Sequence, residues 1–494
     1  MTASFSRRRN SLFLLTLFLW ILISVGCAVA PMVTSEGEQE LGVKLAKEVE
    51  RTMGLYDAPE LVKYVEKLGR RLSEQSPRQD VSYAFHVVDM AEPNAFALPG
   101  GYIYVSRGLL AFVNDEEELA GVLAHEIAHV ASRHHAKSTG MSVITSPLRI
   151  GTGIVGAATG IVAPRIGGVI AGVGEVTSAL LTSPYSREQE READRKGQEI
   201  AAQAGYAPEG LSRFLETLNR DEALHSGESR RYSFFATHPE MHKRVTSTAE
   251  RAERIRVAQG KPIAKDRADL LFRLEGLIVG ENPALGIFQG RRFLHPELDF
   301  TFLFPSQWEA LNTPQFVVGQ APKKDAVITI QMVGWGEDPY LVVKALGKTL
   351  EIDLLKESES THINGLPAIR NKIALDSAAG TMGLDMTWIA HQGRVYQLTG
   401  VTSLNDFSAF QEAFFEAANT FRPLSSADRA NIQVARLSVI EAREAETLEA
   451  FIEQTGSVWS SAETAVANGI EEHQALSKGQ LIKVPIETPY QRAR

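Results

Sequence analysis

A single cysteine, Cys27, occurs in the whole chain, so no disulfide within the chain can brace it and its compartment has to be read from other signals. Basic residues are also in short supply. Lys and Arg number 51 against 60 Asp and Glu, a formal net charge of −9, which leaves no broad cationic surface for nucleic acid as a partner. The apolar run from Leu12 to Val25 falls short of the roughly 20 residues that a comfortable membrane span requires. Set against these absences, 44% hydrophobic and 22% charged residues are ordinary globular material, enough for roughly two to four domains.

The N-terminus carries the targeting information. Arg7, Arg8 and Arg9 precede the Leu12–Val25 run, a basic region followed by a short apolar one, which reads as a secretory signal over 1–27. Gly26 and Cys27 are similar to the end of a bacterial lipobox, in which the cysteine is lipidated, although Ser24 stands where a large aliphatic residue is usual. Lipid anchoring at Cys27 is the reading adopted, with simple secretion or a retained anchor helix as alternatives. The chain is thus expected to be exported, periplasmic and held to a membrane as a lipoprotein.

The chemistry centres on Glu118 to Val130, ELAGVLAHEIAHV, and on Ser186 to Asp194, SREQEREAD. Residues four apart share one face of a helix, so His125 and His129 can aim two imidazoles at one point. Glu126 sits beside that face, where a carboxylate can reach a water on the metal without joining the coordination sphere, and is the candidate general base. Leu119, Val122, Leu123, Ile127 and Val130 form an apolar stripe, and Glu116, Glu117 and Glu118 complement the positive end of the helix. A catalytic zinc normally takes three protein ligands. Glu190 and Asp194 are again four apart, so one carboxylate can bind metal while the other supports a ligand from behind; Glu190 is taken as the third ligand. Alone, SREQEREADRKG would read as a solvated helix laced with charge pairs. One zinc ion per chain is expected.

Four segments occur in a set order: NAFALPGGYIYVSRGLL (Asn94 to Leu110), HEIAH (His125 to His129), SREQEREAD (Ser186 to Asp194) and THPEMHKRV (Thr237 to Val245). Together they resemble the gluzincin zinc metallopeptidase family that contains the CAAX prenyl endopeptidase, HtpX and BepA, and its BepA-like periplasmic branch in particular. The resemblance runs over roughly 35–280. It implies zinc ligation by His125, His129 and Glu190, catalysis by Glu126 and a supporting role for Asp194. His238, in its His-Pro context, can approach the zinc as a fourth ligand or donate to the oxyanion; otherwise it is a loop histidine. Arg244 matches the basic residue after that motif and either binds the substrate main chain or pairs with an acid.

Helical spacing predicts packing helices between Ser35 and Gln75, and alternation predicts a strand over Val81–Val88 and another at Tyr102–Val105. Gly100, Gly101, Tyr102 and Ile103 are the candidates for an exposed strand edge that binds substrate through its main chain; a plain supporting hairpin is the alternative. Asn94 and Phe96 match the family motif as cleft-lining residues. His134 and His135 read as solvent-side or buttressing residues. Gly140 to Leu181 is rich in Gly, Ala, Ile and Val and carries Arg149, Arg165 and Glu175 as its only charges; it is expected to form a lid or a membrane-surface hairpin, or a glycine-rich structural one.

Beyond Gly280-Glu281-Asn282-Pro283 the pattern changes. Strands are predicted at Phe300–Phe304, Ala326–Met332, Ala368–Ala374, Met386–Ala390 and Val395–Val401, with helices at Tyr340–Leu355 and Asp406–Thr420. No catalytic cluster is visible there. This α+β layer domain, 285–424, faintly resembles the PsbP/DcrB-like fold. Over 433–487, EAETLEAFIEQTG, AVANGI and LSKGQLIKVP resemble the helix, helix, strand order of LysM modules, with Ala445-Glu446-Thr447 where those begin with glycine-aspartate-threonine. The whole is expected to be α+β: a mainly helical zincin-type domain with a small edge sheet, the layer domain, and the LysM-like domain. The expected activity is that of a zinc endopeptidase of the bacterial envelope. Its expected partners are unfolded or misassembled envelope proteins, the membrane and, through the last domain, peptidoglycan. A peptidoglycan peptide hydrolase and a chaperone-like assembly factor with a masked zinc are the alternatives.

Overall fold

A computed structural model describes residues 35–137, 185–225, 234–314, 316–377 and 380–492. The expected signal over 1–27 with Cys27, and the whole of the expected lid over 140–181, lie outside the described residues. Two helices open the described chain, α1 (Ser35–Met53) and α2 (Pro59–Ser73). They pack on a three-stranded sheet of β1 (Ala84–Val88), β2 (Ala95–Leu98) and β3 (Tyr102–Ser106). The strand order is β1-β3-β2, with β3 parallel to β1 and antiparallel to β2.

That order corrects one expectation. Tyr102 and Ile103 lie on the central strand, bonded on both sides, and so offer no free edge. Gly100 and Gly101 form a buried turn with φ of 79° and 95°, in the left-handed region that glycine adopts without strain. A Cβ on Gly100 would lie 3.0 Å from Cα of Gln39 on α1. The edge strand that packs on the helix carrying His125 and His129 is β2.

After β3 come α3 (Arg107–Phe112), α4 (Glu116–Ala131) and the single turn α5 (His134–Lys137). The Asp115 side chain caps α4 by accepting from the Glu118 amide at 2.9 Å, and three glutamates complement its positive end. From Glu116 to Val130 only Glu117 escapes burial, so the expected apolar stripe is in fact a helix covered all round. Around it lie α6 (Arg187–Gln203), α7 (Glu209–Leu224), α8 (Met241–Ala252) and α9 (Arg267–Arg273). One core of Leu, Val, Ile and Phe side chains joins these helices to the sheet.

The two-residue strand β4 (Ile278–Val279) then leads into the layer domain. Its principal sheet has seven antiparallel strands, including Ala326–Trp335, Leu366–Ser377, Gly380–His391 and Arg394–Ser403. A four-stranded sheet containing Phe300–Leu303 accompanies it, and Phe293, Phe302, Phe304, Tyr396 and Phe421 fill the core that both sheets line. Helices Pro339–Leu350 and Phe407–Asn419 match the two expected. Strands 287–289, 292–295, 309–312, 316–320 and 359–363 were not among the predicted ones. Each has at most five residues, too few for alternation to stand out.

The last unit runs strand, helix, helix, strand: Gln433–Glu441, Leu448–Thr455, Ser461–Ala467 and Leu481–Pro489. It is not a free-standing module. Strand Gln433–Glu441 pairs with Leu481–Pro489 on one side and with β4 on the other, Ala435 opposite Val279, and Val434 and Leu437 enter the core shared by the helices and the three-stranded sheet. The layer domain is therefore inserted between two neighbouring strands of one sheet. Paired Cα atoms in such strands are about 5 Å apart, so replacing 280–432 by a short turn is expected to leave a soluble, cooperatively folding remainder. Circular dichroism through a thermal transition checks this, and an insoluble or non-cooperative product would refute it.

The Lys483 side chain fastens this unit to the start of the metal helix. Fully buried, its ammonium donates to the carbonyls of Ala111 at 2.8 Å and Val113 at 2.6 Å. Burial brings Lys483 down to about 7, opposed by the nearby Glu118 carboxylate, and burial likewise pushes Glu118 up to about 7. Asn468 holds the Lys483 backbone in both directions, at 2.7 and 2.9 Å. Arg220 on α7 donates to the Ile470 carbonyl at 2.7 Å.

Candidate metal centre

His125 and His129 lie one turn apart on α4, and their Nε2 atoms are 2.9 Å from each other. Opposite them, α6 presents Glu190, with one carboxylate oxygen 3.3 Å from His129 Nε2 and the other 3.7 Å from His125 Nε2. The close approach depends on Gly197, where a Cβ would sit 2.9 Å from the backbone of His125. Ser186 and Gln189 form a capping box that fixes where α6 begins, one residue-turn before Glu190. His238 follows the turn Phe234–Thr237, and its Nδ1 lies 3.1 Å from both Glu190 oxygens and 3.4 Å from His125 Nε2. The four donor atoms all fall within 4.8 Å of one another.

Glu126 completes the wall. Neither of its carboxylate oxygens has a hydrogen-bond partner in this fully buried position, and the nearest charged neighbour is His238 Nε2 at 3.6 Å. Burial pushes the Glu126 carboxyl up, with His238 and His125 opposing. Burial pushes His129 well down, which keeps the imidazole neutral as a ligand must be. For Glu190 the order differs. Burial alone would raise it, yet the charges of Arg244 and His238 hold the carboxyl well below its usual range.

Converging lone pairs from two or three imidazoles and one ionised carboxylate, closed off from water, are a donor set that suits a zinc ion. The orphaned Glu126 carboxylate beside them is a second sign of fit, because a buried charge without a partner is costly. Asp194 stands behind His125, its oxygen 3.0 Å from Nδ1, and Arg244 grips that carboxylate with two bonds of 2.9 and 2.7 Å. Arg244 also reaches Glu190 at 2.6 Å. This corrects the substrate-binding assignment for Arg244: buried and engaged with two acids, it holds the site together from behind.

Several contacts had no counterpart in the sequence reading. Tyr185, immediately before the cap of α6, stacks on the His129 ring at 3.8 Å and shares a 2.7 Å hydrogen bond with His135. Phe234 stacks on His238 at 4.1 Å. Of the two places expected for His134, solvent-side or buttressing, it takes the second, fully buried against His129. Phe96 does not line the site; it packs with Tyr104, Leu45 and Val49 between α1 and the sheet. The Asn94 backbone is tied to Ser106, and the adjacent Pro93 carbonyl accepts from the Phe234 amide at 3.1 Å, which links β2 to the turn that carries His238.

The model of peptidase family M48 matches residues 59–252. The beta-barrel assembly-enhancing protease of Escherichia coli strain K12 is 27% identical over 240 residues, covering 48% of this chain and 48% of its own. The mitochondrial metalloendopeptidase OMA1 of Schizosaccharomyces pombe is 30% identical over 187 residues, covering 38% of this chain and 52% of its own. The chain thus spans about half the length of the curated relatives it matches. Among solved structures, cyanobacterial PsbP from Synechocystis sp. PCC 6803 is 13% identical over 29% of this chain and 98% of its own, at a TM-score of 0.22, too low to assign a fold. No helix among the described residues is long and apolar enough to cross a membrane. Residues 59–252, which hold every side chain of the buried cluster, form a peptidase family M48 domain.

Proposed function

We propose that the chain is a zinc-dependent endopeptidase of the bacterial envelope that hydrolyses peptide bonds in misfolded or misassembled envelope proteins. The observation that carries this reading is the Glu126 carboxylate, buried without a partner beside four converging donors. His125, His129 and Glu190 would hold the zinc, which supplies Lewis acidity to a water and to the scissile carbonyl. Glu126 accepts the proton of the attacking water and returns it to the amine that departs when the C–N bond breaks. Asp194 and Arg244 keep His125 and Glu190 aimed inward.

The extended substrate would pair with β2, the sheet edge that packs on α4 and is buried as it stands, so that edge must be uncovered before main-chain bonding, which ignores side-chain identity, can form. That suits proteins recognised by their lack of structure. His238 serves the oxyanion with Nε2, or closes the site at rest as a fourth donor; its place among the four favours the second use when no substrate is present. The N-terminal pattern supports export and lipidation at Cys27. The strand, helix, helix, strand order of the last unit supports the LysM-like resemblance and contact with peptidoglycan. A relative named for enhancing β-barrel assembly supports envelope proteins as substrates.

The zinc-loaded full chain is expected to cleave an unfolded protein, to stop when the metal is chelated and to resume when zinc is restored. Gel analysis of the fragments, beside an assay for peptides released from peptidoglycan, decides the matter. Intact protein together with released muropeptides would replace this reading by that of a peptidoglycan hydrolase.

A further inference from the structure

The two histidines of α4 are held by unlike partners. A histidine that ligates through Nε2 carries its proton on Nδ1 and needs an acceptor there to fix ring and tautomer. For His125 the group facing Nδ1 is the Asp194 carboxylate, 3.0 Å away. For His129 the atom at 2.8 Å from Nδ1 is the Nδ1 of His134. The direction of the chain then follows: His134 accepts at Nδ1, so its own proton is on Nε2, which faces a Glu192 oxygen at 3.2 Å. The other Glu192 oxygen is bound by Lys196 at 2.7 Å, and Lys196 donates to Ser132 at the end of α4, 2.9 Å away.

Local backbone makes this possible. On a continuous helix, positions five apart point about 140° away from each other, so His134 would face away from His129. Instead Arg133 takes φ of 55° after α4 ends, the chain turns back, and α5 starts with the His134 ring 4.9 Å from that of His129. Gln189 on α6 pins the turn by donating to the His134 carbonyl at 3.2 Å. Glu192 comes from the same helix as Glu190, so one helix supplies a donor to the cluster and the far end of the relay.

We infer that His134 and Glu192 are positioning residues for His129, a histidine-to-carboxylate relay that fixes its tautomer and aims its Nε2 at the metal. The inference rests on the reading of His129 as a ligand. His134→Phe keeps a ring in place but removes the acceptor; His134→Gln restores an acceptor; Glu192→Gln weakens the far end. Competition with a chromophoric chelator on the full chain is expected to show zinc binding 10–100-fold weaker for His134→Phe, with part of the loss recovered in His134→Gln and a smaller loss in Glu192→Gln. The visible spectrum of the cobalt-loaded protein is expected to shift in the same order. His129→Ala and His125→Ala are the controls. Should they bind zinc as tightly as the unmodified chain, the site itself has been misread. Should they fail to bind while His134→Phe and Glu192→Gln match the unmodified chain, the relay is refuted. If His134→Phe does not fold, Glu192→Gln decides alone: weaker binding upholds the relay and unchanged binding overturns it.

Discussion

Replacing Glu126 by glutamine is expected to lower the rate of peptide hydrolysis by about 10²–10⁴-fold while leaving zinc in place. The amide has nearly the shape of the carboxylate and cannot accept the proton of the attacking water. Glu126 is fully buried, and burial has already pushed its carboxyl up, so removing the charge removes a desolvation cost. The variant should therefore unfold at or above the temperature of the unmodified chain. The donors His125, His129, Glu190 and His238 are separate side chains, and the metal content should not change. Single-turnover cleavage of an unfolded protein, measured beside zinc content, tests both halves. Undiminished cleavage would remove Glu126 from the chemistry, and loss of zinc would make it a ligand instead.

Replacing Lys483 by methionine is expected to destabilise the domain around α4 by about 2–6 kcal/mol, because two buried carbonyls lose their donor at about 1–3 kcal/mol each. The volume is kept. What disappears is the donor to the Ala111 and Val113 carbonyls and the positive charge beside Glu118. Glu118 lies on the first turn of α4 and accepts from the Asn114 amide at 2.8 Å; without Lys483 it keeps Arg213, 3.8 Å from its other oxygen, as a cation. A fall in melting temperature on the order of 10 °C is expected for a unit of this size. Adding Glu118→Gln should recover part of it, because a neutral amide escapes the burial cost that pushes the Glu118 carboxyl up. An unchanged melting temperature for Lys483→Met would show that the last unit contributes nothing to the start of the metal helix.

The parts of the site that could be read from sequence are those whose geometry is local. His125 and His129, and again Glu190 and Asp194, are four apart on helices with clear starts, and His238 sits in a segment with its own pattern. For His134 the choice between solvent-side and buttressing stayed open, because its position follows from a left-handed Arg133, and arginine carries no signal for that conformation. Arg244 was ambiguous because only the fold decides whether a basic residue meets substrate or the two acids of α6. The expected edge at Gly100-Gly101-Tyr102-Ile103 falls on a buried turn and the central strand, since alternation marks a strand without saying which neighbours flank it. The accessory α+β domain was recognised from its long strands, whereas β4, with two residues, has no pattern to detect. Its pairing with Gln433–Glu441 spans the whole inserted domain and is therefore invisible to any local reading.

That pairing also sets an order of events. Synthesis proceeds from the N-terminus and domains fold as they emerge, so a nascent chain holds His125, His129, Glu190 and His238 well before it holds Lys483. The start of the metal helix stays without its ammonium fastening until the layer domain has been made and the last strand arrives.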